Sequence, residues 1–154
     1  MHSRIFQIER EAISKEEYID SDCIPEWFTN SVADYTSDGC DREEDIDWLM
    51  TAALGEMATY DGGKLTFPSD VRRYFKEKYT AFIKAAEQLS KAEFNDFVSG
   101  RNIYSILFNL KAAYDDRYGF YVYCNDELQT LDAFMRTVNE GDVFFIGGTV
   151  DYHC

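Results

Sequence analysis

The chain opens on SRIFQIE (residues 3–9) and closes on DVFFIGGTVDYHC (residues 142–154). Both segments are rich in β-branched and aromatic residues. Ile5 and Gln7 alternate with Phe6 and Ile8, the period of a strand. Between these ends the apolar residues recur mostly at helical spacing. Strands at the two ends with helices between them define an α+β class, with a small mixed or antiparallel sheet packed against four to six helices. The glycine pair Gly147-Gly148 marks a bulge or tight turn, so the closing segment forms one strand or two.

At 154 residues the chain is long enough to bury a core without disulfides or metals, and residues 1–154 are expected to form a single domain. Twelve Phe, eleven Tyr and two Trp exclude a disordered acidic chain. No repeat, linker or low-complexity tract interrupts it. The N-terminus has no apolar h-region and no stretch approaches the roughly 18 apolar residues of a spanning helix. The expected location is the cytosol, with Cys23, Cys40, Cys124 and Cys154 reduced.

Local signals place the elements. Ser14 and Glu17 form a capping box for a short helical turn. Pro25 starts a second helix, with Phe28, Val32 and Tyr35 on one face. Asp61-Gly62-Gly63 joins two short strands. Ser69 or Asp70 caps a long helix whose buried face is expected to hold Val71, Tyr74, Phe75, Phe82, Ala86 and Leu89. Ser90 with Glu93 opens a further helix, Gly100 ends it, and residues 102–118 form a strongly apolar one. Phe120–Cys124 is a strand, with Tyr121 and Tyr123 opposite Phe120, Val122 and Cys124. Thr130 caps the last helix.

Charge bears most directly on function. The net charge is −14, which disfavours binding to nucleic acid or to anionic membranes. Residues 9–50 carry −11 of it, whereas residues 69–91 carry +3. The densest run, SDGCDREEDIDWL (37–49), holds Asp38, Asp41, Glu43, Glu44, Asp45 and Asp47. Asp41 and Glu44 have the spacing of an N-terminal cap, and Ile46, Leu49, Met50 and Ala53 form a helical stripe ending near Gly55. The run is therefore a helix start, with acids favoured there by the helix dipole. Its excess charge is left for a second use.

Three chemistries compete for these residues. Asp34, Thr36, Asp38, Gly39 and Asp45 only partly match a calcium loop, since Thr36 replaces a carboxylate, Asp45 is too short, and Asp41 stands where an apolar residue belongs. A cysteine nucleophile would depend on His2 or His153, both at chain ends. The cysteines have no metal-ligand spacing; Cys23, Cys40 and Cys124 are expected to be small buried hydrophobes. Neither DGGK nor IGGT is a phosphate loop. No catalytic constellation, metal or cofactor is expected.

The remaining reading is a binder. Carboxylates on a rigid scaffold compete for lysines and arginines that otherwise receive phosphates, so the expected partner is a basic protein surface, including that of a nucleic-acid-binding protein. The candidate contact residues are Asp38, Asp41, Glu43, Glu44, Asp45 and Asp47, with Tyr35 and Trp48 as aromatic anchors. The alternative is a module working through aromatic residues such as Tyr114, Tyr118, Tyr121 and Tyr123, or through self-association of two copies.

Overall fold

The computed structural model describes residues 1–154. In chain order the elements are β1 (His2–Glu9), α1 (Glu26–Ser31), β2 (Tyr35–Ser37), α2 (Arg42–Leu49), β3 (Thr59–Asp61), β4 (Lys64–Thr66), α3 (Phe75–Ser90), α4 (Phe94–Ser99), α5 (Ile103–Tyr114), β5 (Tyr121–Cys124), β6 (Glu127–Thr130), α6 (Leu131–Met135) and β7 (Val143–His153). The fold is α+β, as the end-strand pattern implies. The sheet is mixed and larger than expected, with seven strands in the order β3-β4-β7-β1-β5-β6 and β2 also paired to β7.

The two end segments make the centre of this sheet. β1 and β7 pair antiparallel from His2↔His153 to Glu9↔Phe145, and β5 lies parallel on the other edge of β1. Alternation along β1 sends Phe6 and Ile8 to one face and Ile5 to the other. Both faces are covered. Phe6, Ile8, Leu65, Val122, Phe144 and Ile146 pack with Ile46 and Leu49 of α2 and with Leu131, Phe134 and Met135 of α6. Ile5, Tyr121, Val150 and Tyr152 pack with Phe28 of α1 and with Ile19 and Ile24.

β7 is one strand with a fault in the middle. Its register against β1 shifts between Phe6↔Thr149 and Ile8↔Ile146, so Gly147 and Gly148 form a bulge. The extra residue reverses the side-chain parity of β7. Phe144 and Ile146 therefore serve one core, while Val150 and Tyr152 serve the other. Gln7 seals the bulge, its Oε1 accepting from the Gly148 amide at 2.9 Å and the Ile19 amide at 3.1 Å. A Cβ on Gly148 would stand 2.6 Å from the Ile19 carbonyl oxygen and 2.9 Å from its nitrogen. Gly148→Ala should therefore cost about 1–3 kcal/mol, because backbone atoms cannot yield as a side-chain end can. A denaturant midpoint unchanged from the parent would contradict this.

The hairpins follow turn chemistry. Gly62 and Gly63 take positive φ between β3 and β4. Asn125 and Asp126, at φ 51° and 61°, close the two-residue turn between β5 and β6. Three helical expectations need correction. α1 stops at Ser31, and Tyr35 lies on β2 instead of extending the helix. Ser90 ends α3, while the capping box before α4 is made by Glu93 and Asp96. α5 stops at Tyr114, short of the expected residue 118, because Asp115 turns extended at φ −154°; α2 does meet its expected stop at Gly55 (φ 53°), through a π-helical turn, Met50–Leu54.

The largest departure is α3, α4 and α5. From Phe75 to Tyr114 only Ala85 is buried, and it belongs to neither core. The apolar stripe of α3 packs on α5 instead of on the sheet, so these helices form an arm. It is fixed only at its base. Asp132, buried on α6, accepts from Tyr74 Oη at 2.7 Å, Lys78 Nζ at 3.1 Å and the Asp116 amide at 2.7 Å. Burial and the Asp132 charge push the Tyr74 phenol above its ordinary pKa, holding it as a donor. No helix is long and apolar enough to cross a membrane.

Candidate functional site

α2 carries the acidic run, and its orientation is set from both sides. Asp41 Oδ1 accepts from the Glu43 amide at 3.0 Å and the Glu44 amide at 3.3 Å, supplying the N-cap that the spacing implies. Ile46 and Leu49 face the core. Glu43 and Asp47 stand one turn apart on the outer surface, as do Glu44 and Trp48. Glu43 pairs with Arg42 on its own helix, whereas Glu44 and Asp47 make no ion pair. Trp48 is partly exposed, set edge-on to Phe120 at 4.7 Å and under the Arg4 guanidinium at 5.4 Å.

Asp45 is a correction. It is only 3 % exposed and unavailable to a partner. Its carboxylate takes Arg4 Nε on one oxygen and Thr149 Oγ1, at 2.8 Å, on the other. Arg4 also binds Asp151, which accepts from His2 Nδ1 at 3.0 Å. Asp45 stands four positions before Leu49, one helical turn away on the same face, so it turns toward the sheet with Leu49; the 3.6-residue period already holds that signal.

The other candidate residues scatter. Asp38 is exposed but accepts from the Ser21 amide at 2.6 Å and its hydroxyl at 2.8 Å, tying two loops together. Tyr35 stacks on His153 with centroids 5.4 Å apart. Asp34 pairs with His153 Nδ1 at 3.1 Å. The carboxylates of the calcium-like loop thus face Ser21, His153 and Arg4 rather than a common point, and no group of three or more His, Cys, Asp or Glu is placed to hold a metal ion. What remains together is Asp41, Glu43, Glu44, Asp47 and Trp48.

Among the cysteines, Cys23 is exposed, not buried as expected, and Cys40, Cys124 and Cys154 are half-buried. Burial, reinforced by the Glu9 charge, pushes the Cys124 thiol up to about 11. That is opposite in direction to the activation of a nucleophilic thiol. His153 points its Nδ1 at Asp34 and its Nε2 at the Met1 amine, 3.1 Å away.

Two further surfaces stand out. A cleft of about 900 Å³ lies between the end of α2 and the base of the arm, lined in part by Trp48, Met57, Tyr74, Phe120 and Asp132. The arm exposes Tyr79 by 66 %, Tyr104 by 79 %, Phe94 by 80 % and Phe97 by 74 %, with Val98, Leu107, Phe108 and Tyr114 also open. Of the four tyrosines weighed as an aromatic surface, Tyr121 is buried against Phe28 at 4.8 Å and Tyr118 and Tyr123 pack on the same core, as a covered sheet face implies, while Tyr114 is exposed on the arm with the other open rings. Comparison with protein-family models, with curated proteins and with solved structures finds no match to this chain.

Proposed function

We propose that this protein is a non-enzymatic binding protein whose α2 face docks on the basic surface of another protein, of the kind that otherwise receives nucleic acid phosphates. The observation that carries the reading is the outward row of Glu43, Glu44 and Asp47 beside a partly exposed Trp48, in which Glu44 and Asp47 have no cation of their own. Carboxylates held on a capped and core-anchored helix pay little ordering entropy when they meet arginine or lysine. Trp48 supplies the aromatic contact that such interfaces concentrate energy on. Asp41, Glu43, Glu44 and Asp47, all exposed, steer a basic partner to this face. The exposed rings of the arm are a separate surface.

The test is the triple variant Glu43→Gln, Glu44→Gln, Asp47→Asn, used with the parent in a pull-down from lysate at low salt. The parent is expected to retain a nucleic-acid-binding protein that added duplex DNA displaces, and the variant to lose it. Raising salt should weaken capture steeply, since exposed charges are screened within about 8 Å at physiological ionic strength. Stability should fall by no more than about 1–2 kcal/mol, the worth of the first-turn charges. Undiminished capture by the triple variant would sink the reading.

A further inference from the structure

The arm's exposed residues follow a rule. Tyr79 follows Lys78, Ile83 follows Phe82, Tyr104 follows Ile103, Leu107 follows Ile106 and Tyr114 follows Ala113. In each pair the first residue is half-buried and the second exposed; Phe82 meets Tyr114 across the seam between α3 and α5, and Lys78 turns to Asp132 at the arm's base. One residue along an α-helix is a rotation of about 100°, so each exposed residue lies about a quarter turn past the seam. α3 and α5 run antiparallel, with Phe82 beside Tyr114 at 6.3 Å and Lys78 near Asp116 through Asp132. The quarter turns on two such helices open on the same side. Tyr79, Ile83, Tyr104, Leu107 and Tyr114 therefore share one face of the arm.

The exposed parts of these five side chains come to roughly 500 Å², taking about 150–250 Å² for a whole aromatic side chain. That lies in the range of the largest apolar patch on an ordinary monomer, about 300–600 Å². Phe94, Phe97 and Val98 at the tip bring the arm to roughly the 800 Å² that each partner contributes to a standard interface.

The flanking charges identify the occupant. On α3 the stripe reads Lys76, Tyr79, Ile83, Glu87, with opposite charges at its two ends. Neither Lys76 nor Glu87 makes an ion pair within the chain. An antiparallel copy of the same helix puts Lys76 beside the partner's Glu87 and, within about one residue of register, Tyr79 beside the partner's Ile83. Two-fold symmetry then repeats every contact. Net charge favours the same arrangement. The arm, residues 75–114, carries six bases and four acids, or +2, which leaves −16 on the rest of the chain. Two copies meet with least repulsion through their arms.

We propose that the arm is a homodimerisation element, with the exposed faces of two copies packing antiparallel into a four-helix bundle centred between Tyr79 and Ile83 of α3. In that register each tip, with Phe94 and Phe97, lies toward the partner's arm base, the end at which the cleft lined by Trp48 and Phe120 opens. This inference is independent of what the acidic face binds.

Sedimentation equilibrium over a micromolar-to-millimolar range tests it with the full chain. The parent is expected at twice the 17.9 kDa chain mass at the upper concentrations. Tyr79→Glu places a charge in the centre of the face and should give a monomer with an unchanged circular dichroism spectrum. Charge exchange guards against a variant that only misfolds. Lys76→Glu or Glu87→Lys alone should weaken the dimer roughly tenfold, because each reversal acts twice across the symmetry axis. Lys76→Glu with Glu87→Lys should restore it to near the parent's affinity. A parent that stays monomeric throughout overturns the proposal. So does a dimer indifferent to Tyr79→Glu and to the single reversals, since its interface then lies elsewhere.

Discussion

Replacing Arg4 with leucine is expected to lower the unfolding free energy by about 3–5 kcal/mol, the usual cost of removing one partner from a buried ion cluster. The guanidinium binds Asp45 and Asp151 together and also donates to the Ser3 carbonyl at 3.1 Å. Without it two carboxylates, both largely shielded from water, face each other across the end of the sheet. Thr149 and His2 remain as their partners, too few to offset the desolvation. Urea midpoints of the parent and the variant, measured at one pH, would show the loss. A loss below about 1 kcal/mol would mean that Arg4 is not the clasp the geometry makes it. The variant also bears on function, since Asp45 fastens the inner side of α2 whose outer side carries Glu43, Glu44 and Asp47.

Phe28→Ala is expected to cost about 3–5 kcal/mol. Phe28 is fully buried and is the ring around which the second core is built, edge-on to Tyr121 at 4.8 Å and to Tyr152 at 5.0 Å. α1 has only six residues, too short to hold itself by propensity, so this one side chain ties it to the sheet. Both tyrosines lend their hydroxyls to backbone carbonyls, Tyr121 to Arg117 at 2.9 Å and Tyr152 to Gly119 at 2.5 Å. Collapse of the cavity would disturb those bonds and change the near-ultraviolet circular dichroism. Phe28→Leu, which keeps much of the volume, should recover more than half of the loss. Equal losses for alanine and leucine would show that packing volume is not what Phe28 contributes.

Period and turn chemistry made much of the chain legible. Alternation along residues 3–9 identified β1, Asp41 and Thr130 announced the starts of α2 and α6, and Asp61-Gly62-Gly63 announced a hairpin. These signals are local, and each states its own physical reason. β2 and β6 were missed because three or four residues carry too little alternation to stand out. The turn of Asn125 and Asp126 was a readable cue for β6, since both residues tolerate positive φ. Within the candidate site, the outward residues of α2 were legible and Asp45 was misassigned. A charge count does not register that one carboxylate in the run points inward, at a partner forty-one residues earlier in the chain.

What the sequence by itself determined is therefore the class of fold, the helix caps, most turns and the uneven placement of charge. Tertiary structure alone decided where each apolar face went. The stripes on α3 and α5 have the same period as a core-facing helix, and period says only that a face seeks cover, not what covers it. Here the sheet was already occupied on one side by α2 and α6 and on the other by α1, so the two helices covered each other and left a quarter turn of each exposed. The same holds for the bulge at Gly147 and Gly148. Two glycines announce freedom of the backbone, but only the approach of Gln7 and Ile19 makes that freedom necessary and sends the two halves of β7 to opposite cores.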